Sequence, residues 1–300
     1  MDVEPATVKA DPRVADPTPQ ARPSPGGRGV KSSLSALARL HLTYLWRHHR
    51  RLSIARPTRF TELVQRRKLI DRDPRFPGLI DKLMVKQVVA DVLGPEWVTP
   101  TLWSGTELPA APPCAGVYVV KSRHGCGQMI VAGSGQADWS TVRRITKCWI
   151  QHAYGQWLDE WAYRDVPRGV LIEPFVGTAP KLPVDYKLYV FHGRVEAIQV
   201  HLDRATDHRW SLFDRYWRKL SSRSEPNDIR PPATLAEMIK GAEALGSSFD
   251  FVRIDFYDVG TVPRFGEMTF YPGSGLDRFD PPELDRVLGQ FWLAPPAAFI

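Results

Sequence analysis

Apolar positions recur with two different periods along this chain, a helical one first and a strand-like one later. From Ser32 to about Leu52 the text SSLSALARLHLTYLWRHHRRL predicts a basic amphipathic helix, with Leu34, Leu37, Tyr44 and Leu45 tending to one side and a Ser N-cap. Thr61 to Leu69 repeats the helical period, and Leu79 to Leu93 predicts a stronger amphipathic helix stopped by Gly94-Pro95. The pattern then shortens. Val117 to Val120 runs into Lys121, and Met129 to Ala132 follows a Gly-containing loop, which predicts strand, turn and strand. A helix over Trp139 to Trp157 and a strand over Val170 to Phe175 come next. A hairpin is expected over Tyr186 to Leu202, turning at His192-Gly193; a helix over residues 233–245 and strands over Phe251 to Tyr257 and Arg264 to Phe270 complete a mixed α/β (α+β) order. No internal repeat is visible.

Composition adds limits. With 300 residues and 43% hydrophobic content, one elaborate domain or two to three lobes are expected. No apolar run approaches the roughly 18 residues of a membrane span, and the N-terminus has no apolar signal stretch, so the expected compartment is the cytosol. Cys114, Cys126 and Cys148 form no CxxC pair and read as reduced thiols. Residues 1–30 are rich in Pro, Gly and small polar side chains and read as a disordered tail.

The formal charge of +7 is local. Residues 31–75 carry twelve basic against three acidic side chains, whereas residues 76–300 carry twenty-four against twenty-six. One basic helical region at residues 31–75, followed by a near-neutral domain at 76–290, does not describe a nucleic-acid surface. It leaves two places for the basic helix. Either its apolar face packs on the protein, or it lies on an anionic membrane surface, which would bring the chain to the inner membrane face.

Chemistry concentrates in two places. Lys121 closes an apolar strand and is followed by Ser122-Arg123-His124-Gly125-Cys126-Gly127-Gln128, a loop whose small residues admit an anion close to the backbone. The order is not that of a P-loop, and a Lys beside a glycine turn is often only a solvated hairpin. The second place is more specific. FVRIDFYDV and RFGEMTFYPGSGL put Arg253 with Asp255 on one strand face and Glu267 with Thr269 on the next. Paired as a hairpin, Asp255 and Glu267 converge beside an Arg, a pattern suited to a hard cation and polyphosphate. The alternative is a structural Arg and acid cluster, which apolar strands accept only when its charges are paired or metal-bound.

Asp81-Lys82-Leu83, VYVVK with its HGCGQ loop, VLIEPFVG, VRIDFYD and FGEMTFYPGSG together resemble the ATP-grasp superfamily, in order and spacing. More closely, RPTRFTELVQRRKLIDRDPRFPGLIDKLMVKQVV, WAYRDVPRGVLIEPFV, VDYKLYVFHGR and LDRATDH resemble its TupA-like branch, associated with teichuronopeptide and other cell-surface polysaccharide biosynthesis. The resemblance covers roughly residues 45–290. It implies a nucleotide between a lobe at about 110–175 and a metal and catalytic lobe at about 176–285. It further implies that Lys82 and Lys121 contact ATP phosphates, that His124, Gly125 and Gly127 close over them, that Glu173 meets the adenine amino group and that Asp185 holds the ribose. Arg204 falls where the family places a catalytic cation after the long hairpin, Arg253 falls where charge on the transferring phosphoryl is stabilised, and Asp255, Glu267 and Thr269 fall at the Mg2+ ligands, Thr269 replacing the Asn common in relatives. Arg123 and Cys126 also replace the loop's usual Asn and Ser. Cys126 reads as a spacer rather than a nucleophile, and His208 as either substrate-facing or a surface imidazole.

The activity implied is ligation of a carboxylate to an amine through an acyl-phosphate, with ATP and Mg2+, on small-molecule or saccharide-linked substrates. Three rivals stand beside it: a sugar or polyol kinase using the same ATP site, a glycosyltransferase of polysaccharide synthesis, and a membrane-surface adaptor acting through the basic helix.

Overall fold

The computed structural model describes residues 30–133, 137–179, 181–202, 209–221 and 229–294. Helix α1 spans Val30–His48, α2 Phe60–Ile70, α3 Phe76–Ile80 and α4 Val85–Leu93. Strands β1 (Trp103–Gly105), β2 (Tyr118–Ser122) and β3 (Met129–Ala132) precede α5 (Trp139–Gln151), α6 (Trp161–Arg164) and β4 (Val170–Pro174). Then come β5 (Asp185–Phe191), β6 (Arg194–Leu202), β7 (Arg209–Asp214), α7 (Leu235–Gly246), β8 (Phe251–Tyr257), β9 (Arg264–Thr269) and α8 (Leu284–Leu293).

The strands form two antiparallel sheets. One has the order β1-β4-β2-β3, the other β7-β6-β5-β8-β9. Every residue of β5 is buried, because the sheet is covered on both sides. Gly246 of α7 lies so close to Val190 and Val252 that a Cβ there would collide with them. On the other side Phe60 and Trp292 bring α2 and α8 against Phe251, with ring centroids 5.0 and 4.5 Å away. Phe60, Val64, Phe76 and Ile80 thus belong to the main core, and residue 75 does not bound a packing unit. The four-stranded sheet has a core of its own, in which Tyr118, Val120 and Ile172 meet Val142 of α5.

Several expectations change. The single helix expected over Leu79 to Leu93 is broken at Asp81, whose carboxylate accepts from Leu83 N at 2.9 Å and starts α4 afresh. The helix expected to reach Trp157 ends at Gln151, and the first one ends at His48. On α1 the buried residues are Leu40 and Tyr44, whereas Leu45 is exposed, so the inner face is rotated from the one expected. The pattern also left β1, β7, α6 and α8 unassigned. Of these α8 was legible, with Leu284, Leu288 and Trp292 at i, i+4, i+8.

Candidate active site

Register builds one half of the site. On β8 and β9, Asp255 pairs with Glu267 and Arg253 with Thr269, while β5 places Lys187 opposite Asp255. The Arg253 guanidinium donates to Asp255 at 2.7 and 2.8 Å and to Glu267 Oε1 at 3.0 Å, and Thr269 Oγ1 donates to the same Glu267 oxygen at 3.2 Å. Lys187 Nζ bridges Asp185 at 2.7 Å and Asp255 at 2.6 Å. Gly266 permits the tight strand approach, since a Cβ there would lie 3.1 Å from Asp255 O. The cluster sets Arg253 and Lys187 against Asp185, Asp255 and Glu267, which leaves one negative charge in excess. Burial opposes the Lys187 ammonium, but Asp185 and Asp255 outweigh it and hold its pKa above the ordinary lysine range.

Glu267 differs from its neighbours. Its side chain is 23% exposed against 2% for Asp255, and its bonds to Arg253 and Thr269 both reach Oε1. Mg2+ characteristically takes one or two carboxylates and completes its shell with water and phosphate oxygens. The opposed Asp255 and Glu267 fit that donor set. Among the described residues no group of three or more His, Cys, Asp or Glu would hold a metal by itself.

The other half comes from the four-stranded sheet. Val119 pairs with Glu173 and Lys121 with Leu171, so Lys121 and Glu173 are diagonal neighbours on one face. Lys121 Nζ meets Glu173 Oε2 at 2.7 Å, and Lys86 of α4 closes on Oε1. Burial would raise the Glu173 pKa, yet Lys121 and Lys86 outweigh it and lower it. Lys86 is itself pulled down, by burial first and by Lys121 last, despite its carboxylate partner. Lys82, Lys86, Lys121 and Glu173 share one crevice with Phe265 and Gly266 of β9, so the two sheets meet there.

The loop after β2 is fastened at several points. Arg123 grips the fully buried Asp81 through a two-pronged ion pair at 2.6–2.8 Å, and Lys82 Nζ donates to Gly125 O. Gly127 has φ +71° and open space at its Cβ position, a conformation that suits glycine. Two loop side chains have surroundings that bear on their expected roles. The buried His124 ring bonds Trp149 O at 3.0 Å and accepts from Gly169 N at 3.4 Å, so both ring nitrogens are engaged in anchoring the loop. Cys126 is exposed at the surface, yet the Glu267 charge pushes its thiol up to about 11; such a thiol is a poor nucleophile at neutral pH, in keeping with a spacer.

The structure therefore brings together Arg253, Asp255, Glu267, Thr269 and Asp185 in one cluster and Lys82, Lys121 and Glu173 in the facing one. Arg204 and His208 lie outside the described residues. Sequence reasoning missed Lys86 and Lys187. Lys187 left a signal: within DYKLYVF it alternates with Asp185, an ion pair on a strand that is otherwise apolar. Lys86 left only its position one helical turn after Lys82.

The family model described as TupA-like ATPgrasp matches residues 62–293. No curated protein sequence matches the chain. Among solved structures, a D-alanine–D-alanine ligase from Bacillus anthracis superposes with a TM-score of 0.43 at 14% identity, over 71% of this chain and 63% of that one. The corresponding ligase from Helicobacter pylori gives 0.41 at 15% identity, over 73% and 60%. The ATP-grasp ligase PsnB, complexed with a phosphomimetic precursor variant, Mg and ADP, gives 0.40 at 11% identity, over 88% and 73%. The chain spans less than two thirds of the length of the two D-alanine–D-alanine ligases.

Proposed function

The chain belongs to the TupA-like ATP-grasp family, and on that premise we propose that it is an ATP-dependent ligase joining a carboxylate to an amine through an acyl-phosphate. The observation that carries the proposal is the facing of two charged clusters, Lys121 with Glu173 on one sheet and Arg253 with Asp255 and Glu267 on the other. ATP lies between them in this account. Lys82 and Lys121 hold phosphate oxygens, Glu173 meets the adenine amino group, and Asp185 is at the ribose. The space in the crevice is about 10 Å3, far below the several hundred cubic ångströms of a nucleotide-sized pocket. Admission therefore requires Lys86 and Lys121 to swing off Glu173 or the two sheets to part.

Arg253 has two roles. It neutralises Asp255 and Glu267 before substrate arrives, and its guanidinium lies where charge on the phosphoryl group develops. Arg204 is proposed as a further cation for the reaction. Asp255 and Glu267, with Thr269 as a weaker hydroxyl ligand, would hold Mg2+, which would supply charge neutralisation on the phosphates. No covalent protein nucleophile is needed, which agrees with the raised Cys126 thiol. In balance, a substrate carboxylate oxygen bonds to the γ-phosphorus as the bond to the β,γ-bridging oxygen breaks. The neutral amine then bonds to the carbonyl carbon, the carbon–oxygen bond to phosphate breaks, and the proton lost from nitrogen passes to the departing phosphate or to water.

The amide product is proposed to serve cell-surface polysaccharide or peptide-polymer biosynthesis, with an amino acid joined to a sugar acid or to a second amino acid. The experiment is product analysis with Mg-ATP, candidate amines and 18O-labelled carboxylic acids. ADP together with an amide and one 18O in the released phosphate supports the ligase. A phosphorylated alcohol assigns the site to a kinase, and AMP with pyrophosphate removes the acyl-phosphate.

A further inference from the structure

Helix α1 is fastened to the body along one face and, at its flank, through Arg39. Leu40 and Tyr44 are buried, Tyr44 OH bonds Thr61 Oγ1 at 2.9 Å, and Arg47 donates to Leu276 O at 2.8 Å. His48 Nε2 lies 3.1 Å from Gly275 O, and Arg39 pairs with Asp159. The opposite face is apolar as well. Leu42, Leu45 and Trp46, at i, i+3 and i+4, are 68, 45 and 74% exposed. Arg39 shares the Leu42 and Trp46 stripe and sits 5.7 Å over the ring of Trp157, which is itself 72% exposed. An apolar patch on a fixed helix, with two tryptophans, differs from scattered exposed side chains and marks a contact surface.

Its occupant follows from charge and composition. Of the basic side chains in residues 31–75, Arg67 and Lys68 are buried and Arg39, Arg50 and Arg75 are ion-paired, so the positive charge open to a partner beside α1 is that of Arg51 and Arg56, which favours an anionic surface over a second copy carrying the same charges. Residues 1–29 contain no Leu, Ile, Phe, Tyr or Trp, and so offer little apolar surface to cover the patch. At the C-terminal end of α1, Arg51 and Arg56 are exposed. We propose that this outer face of α1 docks the protein on an anionic lipid bilayer, with Leu42, Leu45, Trp46 and Trp157 entering the headgroup boundary and the arginines meeting lipid phosphates. No helix of the described residues is long and apolar enough to cross a membrane, so the contact is interfacial. The inner face of α1 holds the Gly275–Leu276 backbone that follows Glu267 in the chain. Docking therefore sets that turn about one helix diameter, roughly 10 Å, from the lipid surface. The inference stands independently of the nucleotide reading.

The test is co-sedimentation of the full chain with vesicles of phosphatidylcholine alone and of phosphatidylcholine mixed with phosphatidylglycerol, at low and high salt. The wild type is expected on the mixed vesicles only, with binding weakened by salt. Leu42→Glu with Trp46→Glu should weaken it at least about tenfold, given the transfer energy of side chains this size, with the melting temperature and ADP release unchanged. Arg51→Glu with Arg56→Glu, which spares the apolar face, should also weaken binding. Equal binding to both vesicle types, or a Leu42→Glu/Trp46→Glu protein that binds as wild type does, overturns the proposal. So does absence of vesicle binding, including the case in which the wild type dimerises in ultracentrifugation and the double variant does not.

Discussion

In the five-stranded sheet Arg253 and Asp255 stand on a strand buried among Phe60, Phe251, Phe256, Phe270 and Trp292, with Glu267 on the edge strand beside it. In the four-stranded sheet Lys121 and Glu173 stand opposite a much smaller core of Tyr118, Val120, Ile172 and Val142. The charges differ in the same sense. Asp255 is neutralised by Arg253 and Lys187 on its own sheet, whereas Glu173 takes Lys121 from its own sheet and Lys86 from a helix outside it. Under the proposed function this difference amounts to a division of labour, in which the larger core would carry the phosphoryl chemistry and the smaller one would release its ion pairs to admit ATP.

The largest expected effect tests the unequal cores. Phe60→Ala should destabilise the whole molecule by about 3–5 kcal/mol, whereas Ile172→Val should cost about 0.5–1.5 kcal/mol. Hydrogen exchange should report the second change as earlier opening of β2 and β4 with the five-stranded sheet still protected. Opening of both sheets together would break the comparison. A second effect separates the two charge clusters. Lys187→Met leaves Asp185 and Asp255 buried without their shared cation and should destabilise by about 3–5 kcal/mol. Lys121→Met leaves Glu173 with Lys86, so stability should fall less, while ATP affinity drops about tenfold or more as a phosphate contact is lost. Denaturant melts and ATP titration of both variants distinguish them, and equal destabilisation would contradict the account.

The third effect is smaller and depends on pH. Lys121 and Lys86 hold the folded Glu173 pKa below its unfolded value of 4.5. Its contribution is therefore complete above about pH 4.5 and is lost as pH falls through the folded value. Acid should loosen the contact between α4 and the four-stranded sheet, and Glu173→Gln should flatten that part of the stability profile. An unchanged profile would show that the ion pair contributes little.

Much of this was legible in the sequence where local pattern and tertiary role agree. Alternation placed Arg253, Asp255, Glu267 and Thr269 correctly because β8 and β9 form a hairpin, in which the register is nearly local. The meeting of Lys86 with Glu173 depends on a helix and a strand 87 residues apart, and neither periodicity nor spacing encodes that contact. The break at Asp81 was hidden for a similar reason. Helical period runs through it, and the carboxylate is diverted by Arg123 and by the start of α4. His124 reads as a loop donor in sequence, but burial and the Trp149 carbonyl commit its ring to structure. On α1 the period showed an amphipathic helix, yet which apolar stripe faces inward was decided by the Tyr44 and Thr61 contact with α2.

The central claim is that Glu267 serves chemistry on the lobe with the larger core, and Glu267→Gln tests it most directly. Gln keeps the volume and an acceptor for Arg253 and Thr269 while removing the charge that a magnesium ion requires. ADP release measured across a magnesium titration, beside a melting curve, is predicted to fall about a hundredfold or more with the melting temperature nearly unchanged. A variant that melts earlier but releases ADP at the wild-type rate per folded molecule would make Glu267 a structural partner of Arg253 and contradict the account.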